Sequence, residues 1–339
     1  RRNDDSRRID QGDEIMEQEN KLRMKTMRKI CSAPGWASSL YYIIMNAAVM
    51  FYMFAGTVAY AAYYTIGGIP FDENDIMQKL SNSGAGYFIA IFLGLLILLL
   101  WKKPRFFKNA IFTRGKPMTV GTFLALFSIF MGTQVLFQWG AMALEIILNM
   151  FGLSFLSGIE SATGGSDTFS MFLYIGFGAP IAEELLFRGL VLRSLQPMGK
   201  KIAIFMSAVM FGLYHANAIQ IPYAFLVGLV LGYVAIEYSI GWAMLLHMFN
   251  NLILADTLPR ILPGLGGNLL TMAITYSCLL AAIIVLLVKI KSVIAYFKEN
   301  RNEPGSLKAF VTAPGMIAFF VLIFVMTVFT TVLLIGPVA

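Results

Sequence analysis

Charge and cysteine are what this chain has least of. Of its 339 residues 13% are charged and 58% are hydrophobic, whereas a soluble domain is typically about a quarter charged. The shortfall excludes an ordinary globular enzyme. The hydrophobicity excludes a disordered chain, which needs the opposite balance. The two cysteines, Cys31 in a polar tail and Cys278 in an apolar run, give neither a disulfide framework nor a CxxC site. The first 29 residues are polar and charged, so no cleavable signal peptide is expected there. No internal repeat, low-complexity segment or glycine-rich phosphate loop is present, and histidine occurs only twice.

What is abundant is uncharged length. A spanning helix needs about 20 mostly apolar residues, and the stretches free of Asp, Glu, Lys and Arg supply candidates near 37–66, 84–101, 118–148, 169–195, 201–217, 222–237, 241–256, 268–289 and 314–336. The expected fold is therefore an all-α polytopic membrane protein of about nine transmembrane helices. Its parts are a polar tail (1–34), N-terminal transmembrane helices (35–167), a core (168–258) and C-terminal transmembrane helices (259–339). The candidate 169–195 is unusual because Glu183, Glu184 and Arg188 lie inside it.

The net charge of +7 is topological. All basic residues but Lys79 and Arg260 fall in 1–29, 102–116, 188–201 and 289–308, alternate connections of the chain. That puts the N-terminus in the cytoplasm and the C-terminus outside. Asp72, Glu73, Asp75, Glu160 and Asp167 fall on the other side, and Trp36, Trp101 and Trp242 fall at inner helix ends, as an interfacial belt places them. Lipid is the expected surroundings and no nucleic-acid partner is expected. The tail reads as a solvated or membrane-skimming helix. Cys31, next to the first span, is a position open to acylation.

The informative residues are those left polar inside apolar runs. An ionisable residue at mid-bilayer costs roughly 2.5–3.5 kcal/mol on insertion scales and normally faces a cavity or a partner. Arg188 follows Glu184 by four residues, on one helical face, and offsets its charge. Glu183 is then the carboxylate without a local partner. The helices on either side of Pro197-Met198-Gly199 form a hairpin in which Glu183 and His215 come to similar height. Counted at about 1.5 Å per residue, Glu183 lies roughly 7–8 Å beyond Arg188, and His247 about 9 Å beyond Gly241, with Asn251 one turn further on. Four polar groups from three helices reach a common depth. Asn217, Gln220 and Pro222 follow soon after His215, so either the chain turns within the membrane, which is tolerated where irregular backbone is buried or lines a cavity, or the helix before the turn is steeply tilted. Gln134, Gln138, Glu145 and Glu237 read as packing or interfacial residues.

Glu183-Glu184-Leu185-Leu186-Phe187-Arg188 reads as EExxxR, Phe211 to His215 as FxxxH, and His247 with Asn251 as HxxxN. In this order the three motifs resemble those of the CPBP (or Abi) intramembrane proteases, relatives of the CAAX-processing endopeptidases. The resemblance covers roughly 170–256, and the other helices and the tail carry no such signature. It implies a CPBP-type catalytic helix core and an endopeptidase whose site opens toward the cytoplasm. Glu183 would be the general base on a water, with His215 helping to hold that water. His247 and Asn251 would donate to the developing oxyanion, and Glu184 and Arg188 would orient them. Substrates by this resemblance are peptides or lipidated proteins. A precursor, leader or pheromone peptide fits a bacterial plasma membrane, and the endoplasmic reticulum fits a eukaryotic cell.

A zinc reading competes with a metal-free one, since Glu183, His215 and His247 make up a catalytic zinc set with one open position. Against it, the histidines lie on different helices without HExxH spacing, and Asn251 is a better oxyanion donor than zinc ligand. No cofactor is the expectation, with zinc as the alternative. A secondary transporter relaying protons is a further class, disfavoured because no inverted repeat is seen. A non-catalytic membrane scaffold or immunity/regulatory protein of the same family stays open, and nothing in the sequence specifies an oligomer.

Overall fold

A computed structural model describes residues 2–70, 72–163, 168–252 and 265–338. The chain is helical nearly throughout. Its elements are α1 (Arg2–Ile66), α2 (Glu73–Ser81), α3 (Gly84–Phe112), α4 (Val120–Asn149), α5 (Leu156–Thr163), α6 (169–195), α7 (Lys200–Tyr214), α8 (Gln220–Glu237), α9 (Ile240–Asn250), α10 (Leu265–Glu299), α11 (Ser306–Thr312) and α12 (Pro314–Leu334). Among the described residues the exception to an all-α fold is a two-residue ribbon pairing β1 (Leu153–Ser154) antiparallel with β2 (Gly336–Pro337). Side-chain caps start several helices: Thr119 accepts from the Thr122 amide, and Ser239 from the Trp242 amide, each satisfying a donor that the first turn leaves open.

Each expected span overlaps a helix, residues 253–256 of the span expected at 241–256 lying outside the described residues, but among the described residues six helices are long and apolar enough to cross a membrane. These lie in α1, α3, α4, α8, α10 and α12. The apolar windows of α1, α10 and α12 are almost wholly uncovered by protein, and residues such as Met50, Phe51, Phe324 and Leu287 stand exposed. Uncovered apolar surface on that scale marks a membrane-facing belt rather than a water-facing one. The chain is an integral multi-pass membrane protein. The remaining three expected spans are different objects. Helix α6 carries buried charge, and α7, with 15 residues, reaches only about 22 Å against a hydrocarbon core of about 30 Å. Helix α9 is shorter still.

The short helices form the middle of the molecule. Helices α7 and α8 make a hairpin, with α6 and α9 packed on it, while α1, α3 and α12 flank it on one side and α4 with α10 on another. Small residues let these helices approach: a Cβ on Gly228 of α8 would meet Ala208 and Phe211 of α7 at about 3 Å. In the turn from α7 to α8, Ala216, Asn217 and Ile219 are buried. Ala216 takes a positive φ of 48°, Asn217 donates to the Gly158 carbonyl of α5, and Ala216 accepts from Thr330 of α12.

The tail is helical, and α1 runs continuously through position 34 into the first span. Acylation of Cys31 does not fit: its side chain is fully buried, its Sγ 3.4 Å from the Met198 sulfur. Just beyond it α1 crosses α12 where Gly35 faces Gly315, so close that a Cβ on either would collide with the other helix's backbone. Gly315→Leu is therefore expected to destabilise the protein by about 1–3 kcal/mol or more, read as a lowered thermal midpoint in detergent.

The contacts also define two ends. At one, Gly115 and Lys116 pair with the backbone of Glu237 and Tyr238, and Asn302 accepts from the Ile202 amide. There Glu237 accepts from Lys200 at 2.9 Å, Lys116 at 3.0 Å and Tyr296. This is the basic end. At the other end β1, β2, α5 and the α7–α8 turn meet, and Glu145 of α4 accepts from Ser154 and from the Phe155 amide. Glu145 and Glu237 are thus structural, as their sequence positions suggested.

Candidate active site

The site is built on α6, whose regular winding fails twice. Tyr174–Gly178 and Leu185–Leu192 are π-helical, and Ala179–Glu184 between them is α-helical. Gly176, Gly178 and Pro180 explain the first lapse, since proline supplies no N–H and crowds the turn before it. A widened turn leaves carbonyls for outside partners, as is common for π-bulges at functional sites. Both segments are used in that way. The Ile175 carbonyl accepts from Asn251 Nδ2 at 2.9 Å, and the Phe187 carbonyl accepts from Ser207 Oγ at 2.9 Å.

Glu184 and Arg188 are fully buried and paired, Arg188 Nη1 lying 2.9 Å from Glu184 Oε1. The guanidinium also reaches the Gly228 carbonyl at 3.3 Å and lies over the Phe211 ring, 4.3 Å from its centroid. Glu184 Oε1 accepts a second bond, from His247 Nδ1 at 3.0 Å. A carboxylate only accepts, so Nδ1 carries the proton and the Nε2 edge of His247 is turned away from Glu184. That edge approaches Glu183, with Nε2 3.8 Å from Glu183 Oε2, too far for a hydrogen bond. Among the described residues the Glu183 carboxylate keeps its lone pairs for another partner.

His215 closes α7. Its Nδ1 lies 2.9 Å from the Phe211 carbonyl, which also only accepts, so Nε2 is the free nitrogen. The Phe211 ring lies perpendicular to both imidazoles, with centroids 5.0 Å from His215 and 5.9 Å from His247. Asn251 is pinned twice, donating to Ile175 and accepting from Asn250 Nδ2 at 3.0 Å. Asn250 Oδ1 in turn accepts from Gln134 Nε2 at 2.7 Å, and Gln134 also meets the Tyr223 hydroxyl. One hydrogen of the Asn251 amide remains unassigned to these partners.

A cavity of about 510 Å³ collects Glu183, His215, His247 and Asn251 in its lining. Glu184 and Arg188 stand behind it, fully buried. Sequence reasoning missed Gln134 and Asn250, which pin Asn251, and Tyr174, which lines the cavity. The available signals were an amide at the middle of an apolar span and the doublet Asn250-Asn251. Among the described residues no three His, Cys, Asp or Glu side chains are gathered so as to hold a metal ion. The donor set of Glu183, His215 and His247 does not fit zinc as it stands, and a metalloprotease reading is unsupported.

These features define a class: a multi-pass helical membrane protein with a carboxylate–histidine site inside its bundle. Residues 165–253, which hold all six residues from Glu183 to Asn251 named above, match the Rce1-like family model, type II CAAX prenyl endopeptidase Rce1-like. That segment is similar to the CPBP/CAAX protease family, and the match supports a protease-like role. No curated protein and no solved structure matches the chain.

Proposed function

We propose that the protein is an intramembrane endopeptidase that hydrolyses a peptide bond with a water activated by Glu183. The observation that carries this reading is the pairing of an unbonded carboxylate with an imidazole whose far nitrogen is fixed by Glu184. With Nε2 protonated as well, such a pair holds a base beside a donor, which is the requirement for adding water to a carbonyl.

Glu183, with the free Nε2 of His215, binds a water and takes its proton. The resulting hydroxide forms a bond to the carbonyl carbon. His247, when Nε2 carries a proton, and the remaining Asn251 N–H donate to the oxygen that becomes negative. Collapse breaks the C–N bond, and Glu183 returns its proton to the departing amine. Glu184 and Arg188 touch none of the reacting atoms. They hold His247 in its tautomer and orientation.

The experiment that tests this compares peptide termini in cells making wild-type protein or Glu183→Gln at matched expression. New termini confined to the wild type are expected, and they identify substrate and cut site together. Identical termini, with the variant still rescuing a loss-of-function phenotype, would leave a scaffold instead. Two further outcomes follow. Gln134→Leu, which unpins Asn250 and Asn251, should lower turnover by roughly 10–100-fold with the fold intact, because small misplacements of positioned groups carry costs of that order. Chelators should leave turnover unchanged. Loss of activity with restoration by zinc would turn Glu183, His215 and His247 into ligands.

A further inference from the structure

A second cavity, of about 730 Å³, is a groove between α1 and the segment that leads from α11 into α12, and it shares no lining residue with the first. Lys25 and Arg28 of α1 and Lys308 of α11 carry cations along it, beside Met24, Thr312 and Pro314. Arg28 is half-buried and donates from Nε to Thr312 Oγ1 at 2.9 Å, which leaves its Nη groups to fork around an anion. Among the described residues Lys25, Arg28 and Lys308 form no ion pair, and the acid in the lining, Glu17, lies 2.6 Å from Lys21. Helix α1 runs unbroken from Arg2, so the chain before Glu17 continues along the helix instead of folding back over the groove.

Helix α12 sets the height of the groove. Its 21 residues make a rod of about 31 Å, the thickness of the hydrocarbon core, so Pro314 stands where that core ends. Thr312, with Arg28 bonded to it, and Lys308 then lie at headgroup level, on the side that the distribution of Lys and Arg assigns to the cytoplasm. Toward the membrane, Trp36 of α1 lies against Gly315 and is half exposed, and Ile317 and Val321 of α12 are exposed. Between its charged tips the groove is apolar, because lysine and arginine line it with their stems. Cations over an apolar floor that continues into the lipid-facing belt match an amphiphile with an anionic head.

We propose that this groove binds one anionic phospholipid, its phosphate held by Lys25, Arg28 and Lys308 and its acyl chains laid over Trp36, Ile317 and Val321. A soluble phosphate could use the same cations but would leave that apolar surface unused. The bound lipid would tie α1 to α11 and α12 beside the Gly35–Gly315 crossing.

The test titrates full-length protein, purified in detergent and freed of copurified lipid, with phosphatidylglycerol or with phosphatidylcholine of the same chains. Bound lipid is read by native mass spectrometry. Saturable binding of phosphatidylglycerol, at least about ten-fold tighter than that of phosphatidylcholine, is expected. A basic residue near an anionic surface is worth about five-fold in affinity, so Lys25→Gln, Arg28→Gln and Lys308→Gln together should weaken binding by about a hundred-fold. Removing exposed cations elsewhere at the basic end, as Arg105→Gln, Lys108→Gln and Lys289→Gln, should leave binding unchanged. Lys25→Arg with Lys308→Arg keeps the charge and should bind as wild type does, which separates loss of the site from loss of the fold. Equal loss in both glutamine triples would reduce the effect to diffuse attraction and overturn the proposal. Equal affinity for phosphatidylcholine, or loss of binding in the arginine variant, would overturn it as well. So would full competition by glycerol 3-phosphate at matched concentration, which would make the ligand a soluble anion.

Discussion

Glu183→Gln is expected to lower turnover by about 10²–10⁴-fold, the range that a positioned general base contributes, while the protein stays folded and membrane-inserted. Three features make the effect specific. Glu183 is partly exposed to the cavity, it makes no hydrogen bond to His247, and the buried ion pair behind it belongs to Glu184. Glutamine keeps the shape and removes the base, so the fold should not notice the change. A thermal midpoint equal to wild type beside a collapsed rate is the expected result. A variant that keeps its rate would show that the carboxylate is not the base. One that loses both would show that Glu183 holds the structure.

The second large effect concerns stability. Arg188→Ala leaves Glu184 fully buried without its cation and removes the guanidinium from the Phe211 face. Breaking a buried pair on one side costs about 3–5 kcal/mol, a large share of the 5–15 kcal/mol that holds a typical domain together. Loss of folded protein from membranes is expected. Replacing both partners together, as Glu184→Met with Arg188→Met, should recover much of the folding, because a well-packed apolar pair is often as stable as a buried ion pair. It should not recover turnover, since His247 Nδ1 would then have no acceptor. This split between stability and rate separates orienting His247 from merely filling the core. Equal recovery of both would contradict the orienting role of Glu184.

Much of the site was legible because ionisable residues are so scarce in the apolar sequence. Glu183, Glu184, Arg188, His215, His247 and Asn251 stood out, and the structure gathers the first and the last three in one cavity. The pairing of Glu184 with Arg188 followed from helical spacing, and its second bond, to His247, did not. That contact depends on how α9 sits against α6, which no local pattern encodes. The π segments were equally hidden, because five or eight residues hold too little periodicity to separate a π turn from an α turn. Gly176, Gly178 and Pro180 were the only local sign.

Gln134 was read as packing because an isolated amide in an apolar helix usually satisfies a neighbour. It does satisfy one, and that neighbour positions Asn251. The burial of Cys31, a position open to acylation by its sequence, was hidden too, since it depends on the Met198 turn that covers the thiol.

The most direct test of the central claim is made with purified, reconstituted protein. A mixture of synthetic peptides is incubated with wild type and with Glu183→Gln, and new carboxyl termini are counted by mass spectrometry. The account predicts defined new termini with the wild type and none with the variant. Termini produced equally by both proteins, or by neither while Glu183→Gln retains full function in cells, would contradict it.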